Sequence, residues 1–295
     1  MGKLAQSDLP SLLPSRSWMA PDAKTKDLVY VSDYNANIVY VLSYPQLTLE
    51  GEIKGEGLTP IGLCTDAKQN VWVAYSFTEL LREYAHGGTS PIATLYMKTA
   101  GSPNGCSVDP STGDLAVTVL GYSSDGDVAI FKRAQGTPKI YTYSGGAFYA
   151  QFCGYDDKGN LFVDASVRTS GFSFLFAELP KGGSALQKIV LTGGRVYFPG
   201  QVQWDGKYVT VTDQYYQNQD QPGIYRTTGA GGEIVGSTSL DAVGRVAQLW
   251  IEGATVVVPN QTQASVELFK YPGGGLVQSV GGFDRPIGAT VSLAK

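Results

Sequence analysis

LVYVSD (Leu28–Asp33), NVWVAY (Asn70–Tyr75), DLAVTV (Asp114–Val119), NLFVDA (Asn160–Ala165), YVTVTD (Tyr208–Asp213) and TVVVPN (Thr255–Asn260) are six versions of one apolar, strand-like phrase. With Tyr30, Trp72, Ala116, Phe162, Thr210 and Val257 as equivalents, the steps between them are 42, 44, 46, 48 and 47 residues. A period of about 40–50 residues built from short strands and turns marks a β-propeller, one blade per repeat. Six phrases predict six blades.

The flanking sequence fills in each blade. A shorter strand motif precedes the phrase, as in Pro60-Ile61-Gly62, Pro103-Asn104-Gly105 and Pro199-Gly200-Gln201. An apolar strand, a Gly/Pro break and a last strand follow it, as in REYAHGG (Arg82–Gly88) and PIATLY (Pro91–Tyr96). Each unit reads as four antiparallel strands, A to D, with polar A–B turns such as DDKGN (Asp156–Asn160), whose Gly tolerates positive φ. Pro286–Val291 repeats the strand-A motif with no strand B after it, whereas the first unit begins at Leu28 with strand B. The expected fold is therefore all-β, a six-bladed propeller of residues 27–295 closed by the C-terminal strand completing blade 1. Residues 1–26 form an arm outside the repeat. Closure leaves no open ring edge and makes a monomer the expected state.

Composition sets limits. The formal charge of −4 argues against broad binding to nucleic-acid backbones, and no apolar run is long enough to span a membrane. Met1-Gly2-Lys3 opens no secretion signal. The low charge content (16%) and the richness in Tyr, Gln, Asn and Thr nevertheless suggest a secreted or periplasmic protein from which a signal peptide has been trimmed. The three cysteines form no disulfide framework. Cys106 and Cys153 share a strand-A position, Cys64 sits one place further on, and all three read as small buried residues between blades. The single histidine, His86, falls in an outer C–D turn, which excludes a histidine dyad or a multi-histidine metal site.

VSDYNANIVYVLSYP (Val31–Pro45) resembles the NHL-repeat group of propellers in its order of strand, Asp, short turn, Asn and strand. The stretches Arg82–Leu95, Gly105–Val117, Cys153–Asp164 and Val202–Tyr208 are similar to phrases of exported NHL-like propellers of acidobacteria. The resemblance spans all six blades and implies fold and export. It brings no activity with it, because these motifs are turns and core strands. Virginiamycin B lyase needs histidines that one turn-located His86 cannot supply. The gluconolactonase and senescence-marker group shares only the architecture, with Glu, Asn and Asp around a divalent cation.

Propeller geometry places the B–C and D–A loops together around one mouth of the channel. Asp33, Asp213 and Asn260 end strand B in consecutive blades and form a polar arc able to offer oxygen ligands to Ca²⁺ or Mg²⁺. The competing reading gives each the task of capping its own turn. The same face carries Tyr149, Arg195, Tyr197, Tyr215, Tyr216 and Arg245, with Arg168 and Arg285 on the rim and Gln201 and Gln248 on strand A. Aromatic faces, amides and guanidinium forks suit a small polar ligand, glycan or peptide. A binding or interaction module is the primary expectation. The alternatives are a metal-assisted hydrolase or lyase with Asp164 as base, and a two-carboxylate glycoside-cleaving enzyme using Asp164 and Asp213.

Overall fold

Each strand-B phrase is buried on both faces, which explains why it reads as a nearly continuous apolar run rather than an alternation. A computed structural model describes residues 16–55, 57–98, 101–121, 126–145, 148–168, 172–214, 222–241 and 243–295. It shows six antiparallel sheets in a ring. In blade 2 the strands run Thr59–Thr65, Val71–Ser76, Leu80–Tyr84 and Pro91–Tyr96 from channel to rim. Blades 3 to 6 repeat this order, with strands A at Gly101–Val108, Phe148–Tyr155, Pro199–Trp204 and Trp250–Glu252.

Ring closure follows the expected scheme. Pro286–Ser292 pairs antiparallel with Leu28–Asp33 and becomes the innermost strand of blade 1. From the N-terminal arm, Trp18–Met19 adds a fifth strand outside Leu49–Lys54 and so covers the outer edge of that blade. His86 does occupy the C–D turn of blade 2, where it helps to lock the closure. Its Nδ1 lies 2.6 Å from Ser292 Oγ and its Nε2 lies 3.0 Å from the Lys26 carbonyl.

Apolar packing is organised by joint rather than in one central core. Six clusters of buried side chains each join two neighbouring blades. At the joint of blades 1 and 2, for example, Tyr30, Val41 and Ile53 pack on Val71, Val73 and Tyr84. Around the channel the strands A lie so close that glycine is required. A Cβ on Gly62 would sit 1.8 Å from the Asn104 carbonyl oxygen, and one on Gly288 would sit 2.5 Å from that of Ile61.

That close approach corrects the reading of the cysteines. Cys64 and Cys106 form a disulfide that staples strand A of blade 2 to strand A of blade 3, with Cα atoms 5.7 Å apart. Strand-A bulges before each cysteine shift the register between Pro60 and Leu63 and between Pro103 and Cys106. Both strands carry the same one-residue bulge, so the offset of one place read from the sequence stands, and the thiols meet because strands A of neighbouring blades lie side by side at the channel. Cys153 alone remains a buried free thiol.

Candidate functional site

Strand B of blades 5, 6 and 1 ends at Asp213, Asn260 and Asp33, and all three residues are fully buried. Each receives the backbone of the D–A loop that arrives beside it. Asp213 accepts the amides of Tyr197 (2.9 Å) and Phe198 (3.0 Å). Asp33 accepts those of Asp284 (2.8 Å) and Arg285 (3.0 Å), together with Ala36 of its own turn (3.1 Å). Asn260 Oδ1 accepts Gly244 (3.3 Å) and Gln263 (3.2 Å), and its amide donates to Glu267. These oxygens face N–H donors that a cation would have to displace, so the trio does not fit a Ca²⁺ or Mg²⁺ site as it stands. Among the described residues no three His, Cys, Asp or Glu side chains come together as a metal site.

The three caps have another consequence. Each fixes a loop that carries an arginine: Arg195 between blades 4 and 5, Arg245 between 5 and 6, and Arg285 between 6 and 1. Arg195 and Arg245 are exposed and Arg285 is half-buried. Arg195 lies over the ring of Tyr197 at 4.8 Å, and Arg285 lies over the ring of Tyr34 at 4.8 Å. Stacking of this kind holds a guanidinium plane while leaving its N–H edges available. None of the three makes an ion pair or side-chain hydrogen bond with another described residue. Beside Arg195 and Tyr197 a cleft of about 340 Å³ opens between the outer two strands of blade 4 and the D–A loop that follows them, lined by Phe174, Phe176, Ile189 and Val196.

Other sequence candidates lie apart from this arc. Gln248 is 1% exposed and donates to the Leu63 carbonyl (2.6 Å) while accepting the Leu63 amide (2.9 Å). It passes over Gly288 to tie blade 6 to blade 2, so its amide is committed to the ring. Gln201 is also buried, and its Nε2 donates to the Val202 carbonyl. Tyr149 stands half-buried at the start of strand A of blade 4. Phe148 and Tyr143, from the same aromatic run, pack together at 5.5 Å against the joint of blades 3 and 4. Tyr215 and Tyr216 lie outside the described residues.

Neither carboxylate proposed for chemistry reaches solvent. Asp164 is fully buried, its Oδ1 accepting the Phe152 amide (2.8 Å) and its Oδ2 lacking a partner. Burial drives its carboxyl well above the usual range, against the pull of the Phe152 amide. Asp213 is closed off by the two loop amides described above.

On the opposite face, clefts of about 350 and 410 Å³ lie between the A–B turns. Their acidic residues are largely structural. Asp66 accepts the amides of Lys68 and Asn70, and Asp156 accepts those of Lys158 and Asn160. The larger volume is therefore the less informative one, because its polar groups serve their own turns.

Sequence reading missed Tyr34 and Phe77. Tyr34 follows the capping Asp33 directly, and Phe77 follows strand B of blade 2 in a Ser-Phe-Thr turn. An aromatic just past the end of a repeated strand was the available signal.

No protein-family model matches this chain, and no curated protein matches it either. Solved structures do resemble it. A chain of the nidogen/laminin complex superposes with a TM-score of 0.72 at 13% identity, over 91% of this chain and 99% of that one. A protein of unknown function from Bacteroides caccae gives 0.66 at 12%, over 90% and 99%. A functionally unknown protein from Desulfotomaculum acetoxidans gives 0.63 at 10%, over 91% and 99%. At such identities the likeness is one of fold. The chain is a six-bladed β-propeller of four-stranded blades, and the architecture by itself assigns no activity.

Proposed function

We propose that this propeller is an exported interaction module that binds a carboxylate-bearing ligand, an acidic glycan or acidic peptide, on its B–C/D–A loop face. The observation that carries the reading is the arc of Arg195, Arg245 and Arg285 on three consecutive D–A loops, each loop held by the residue that ends the neighbouring strand B. In a chain of net charge −4, three unpaired guanidiniums on adjacent loops favour an anionic ligand. Two of them stack on tyrosine, which orients the N–H fork for a carboxylate. The apolar cleft below Arg195 has the size of a small-ligand pocket and would take a sugar ring or a side chain.

Membership of the acidobacterial NHL-like group, export and a monomeric state belong to the same proposal. The Cys64–Cys106 bridge suits an oxidising compartment, and the closed ring leaves no strand-A edge to pair with a second copy. The similarity to a chain of the nidogen/laminin complex sets beside it a propeller observed in a complex.

A thermal-shift screen tests the reading. Oligogalacturonates and Glu-rich peptides should raise the melting temperature by mass action, and their neutral counterparts, methyl-esterified oligogalacturonate and Gln-rich peptides, should not. Equal shifts from the neutral series would contradict it.

A further inference from the structure

Phe77 is 68% exposed, yet its backbone sits at φ 58, in the left-handed region that a bulky side chain rarely enters. The conformation is held from several sides. The Phe77 amide donates to Ser102 Oγ (2.9 Å), Thr78 Oγ1 donates to the Tyr75 carbonyl (2.6 Å), and the Leu80 amide returns to Thr78 Oγ1 (3.1 Å). Neighbouring structure thus enforces a strained turn whose effect is to lift a large apolar ring into water. Strain of this kind, kept where a side chain gains no burial from it, points to a surface that acts on something else.

What lies beside Phe77 indicates its partner. The ring meets Tyr34 edge to face, with centroids 6.5 Å apart and planes at 71°. The other neighbour of Tyr34 is the Arg285 guanidinium, at 4.8 Å. Phe77, Tyr34 and Arg285 therefore form one ledge across the joint of blades 1 and 2, at the end of the arginine arc. Asp33 anchors it by holding the amides of Asp284 and Arg285, and Asn35 Nδ2 donates to Asp284 Oδ1 (3.2 Å).

We infer that this ledge docks a polypeptide segment in which an acidic side chain is flanked by large apolar ones, the carboxylate meeting Arg285 and the apolar neighbours closing around Phe77. This rests on the carboxylate-binding reading above and narrows it from glycan or peptide to peptide. A sugar stacks flat on an open aromatic platform, but Arg285 already covers Tyr34. A projecting Phe beside a guanidinium matches two different side chains of one segment. Aromatic and arginine anchors of this type dominate protein–protein contacts.

The test uses the full chain and four probes: a peptide with a Leu-Glu-Phe centre, its Ser-Glu-Ser and Leu-Gln-Phe variants, and oligogalacturonate. Leu-Glu-Phe should bind about tenfold more tightly than either variant, a ratio typical of losing one anchor. The preference for Leu and Phe over Ser should disappear in Phe77→Gly, whose melting temperature stays level or rises because glycine accepts the positive φ. If Ser-Glu-Ser or oligogalacturonate binds as well as Leu-Glu-Phe, the ledge is not a peptide site. If Leu-Gln-Phe binds equally well, the carboxylate reading itself fails. Absence of binding by any peptide overturns the inference too.

Discussion

Single residues decide how this ring responds to pH. His86 is half-buried between Ser292 and Lys26. Burial holds its pKa below the ordinary value near 6.5, despite the bond to the Lys26 carbonyl. The unfolded chain therefore binds the proton more readily than the folded one. The contribution of the neutral imidazole is present above about pH 6.5 and is lost as pH falls through the folded pKa. Melting temperatures from pH 7.5 to 5 should fall more steeply for the native sequence than for His86→Asn, and equal slopes would remove the effect. Asp164 works in the opposite sense. Its raised pKa means that the folded state keeps a proton the unfolded state releases, so stability is lost as pH rises past the carboxylate range toward the folded pKa. Asp164→Asn should flatten that loss and be tolerated at neutral pH, because an amide keeps the bond accepted from Phe152. The sequence showed both residues and placed His86 in the right turn. It could not show that Asp164 lacks solvent or that Asp33 and Asp213 are used up by loop amides, because those amides belong to irregular D–A loops whose path no local pattern fixes, and for Asp33 two of them come from the far end of the chain.

At the scale of strands, most of the architecture was legible. The repeated phrase, the Pro-x-Gly motif and the orphan final strand each followed from burial on two faces and from turns that need glycine. The disulfide was not, because the repeat pattern does not show how closely strand A of blade 2 passes strand A of blade 3 at Cys64 and Cys106. Two tests follow. Replacing both cysteines by serine should cost about 4 kcal/mol, the chain-entropy value for a loop of this length, and should lower the melting temperature by on the order of 10 °C. Thiol titration should find no reactive group in the native protein, because burial also pushes the Cys153 thiol up. One thiol should appear in denaturant and three after reduction. The outer strands Pro91–Tyr96 and Leu276–Gly281 leave Ile92, Tyr96, Leu276 and Val277 exposed, whereas Trp18–Met19 covers the edge of blade 1.

The whole molecule behaves as a ring of six apolar joints tied at the channel. Gln248 reaches Leu63 across Gly288, Gln203 exchanges two hydrogen bonds with the Ile251 backbone, and Thr118 Oγ1 donates to the Gln151 carbonyl. A Gly288→Val substitution would drive a side chain into Ile61 and Gln248, and it should destabilise by several kcal/mol without touching the loop face. That rigidity extends to the loop face, where the strand-B caps fix the arginine-bearing loops and Tyr197 and Tyr34 stack on two of the guanidiniums. Under the proposed function, Arg195, Arg245 and Arg285 recognise carboxylates. That recognition is tested most directly by titrating a Glu-rich peptide and its Gln counterpart against the native protein and against the Arg195→Ala/Arg245→Ala/Arg285→Ala variant. The Glu peptide alone should bind, with an affinity weakened by salt and reduced about tenfold or more in the triple variant. Equal affinity of the variant for the Glu peptide would contradict it.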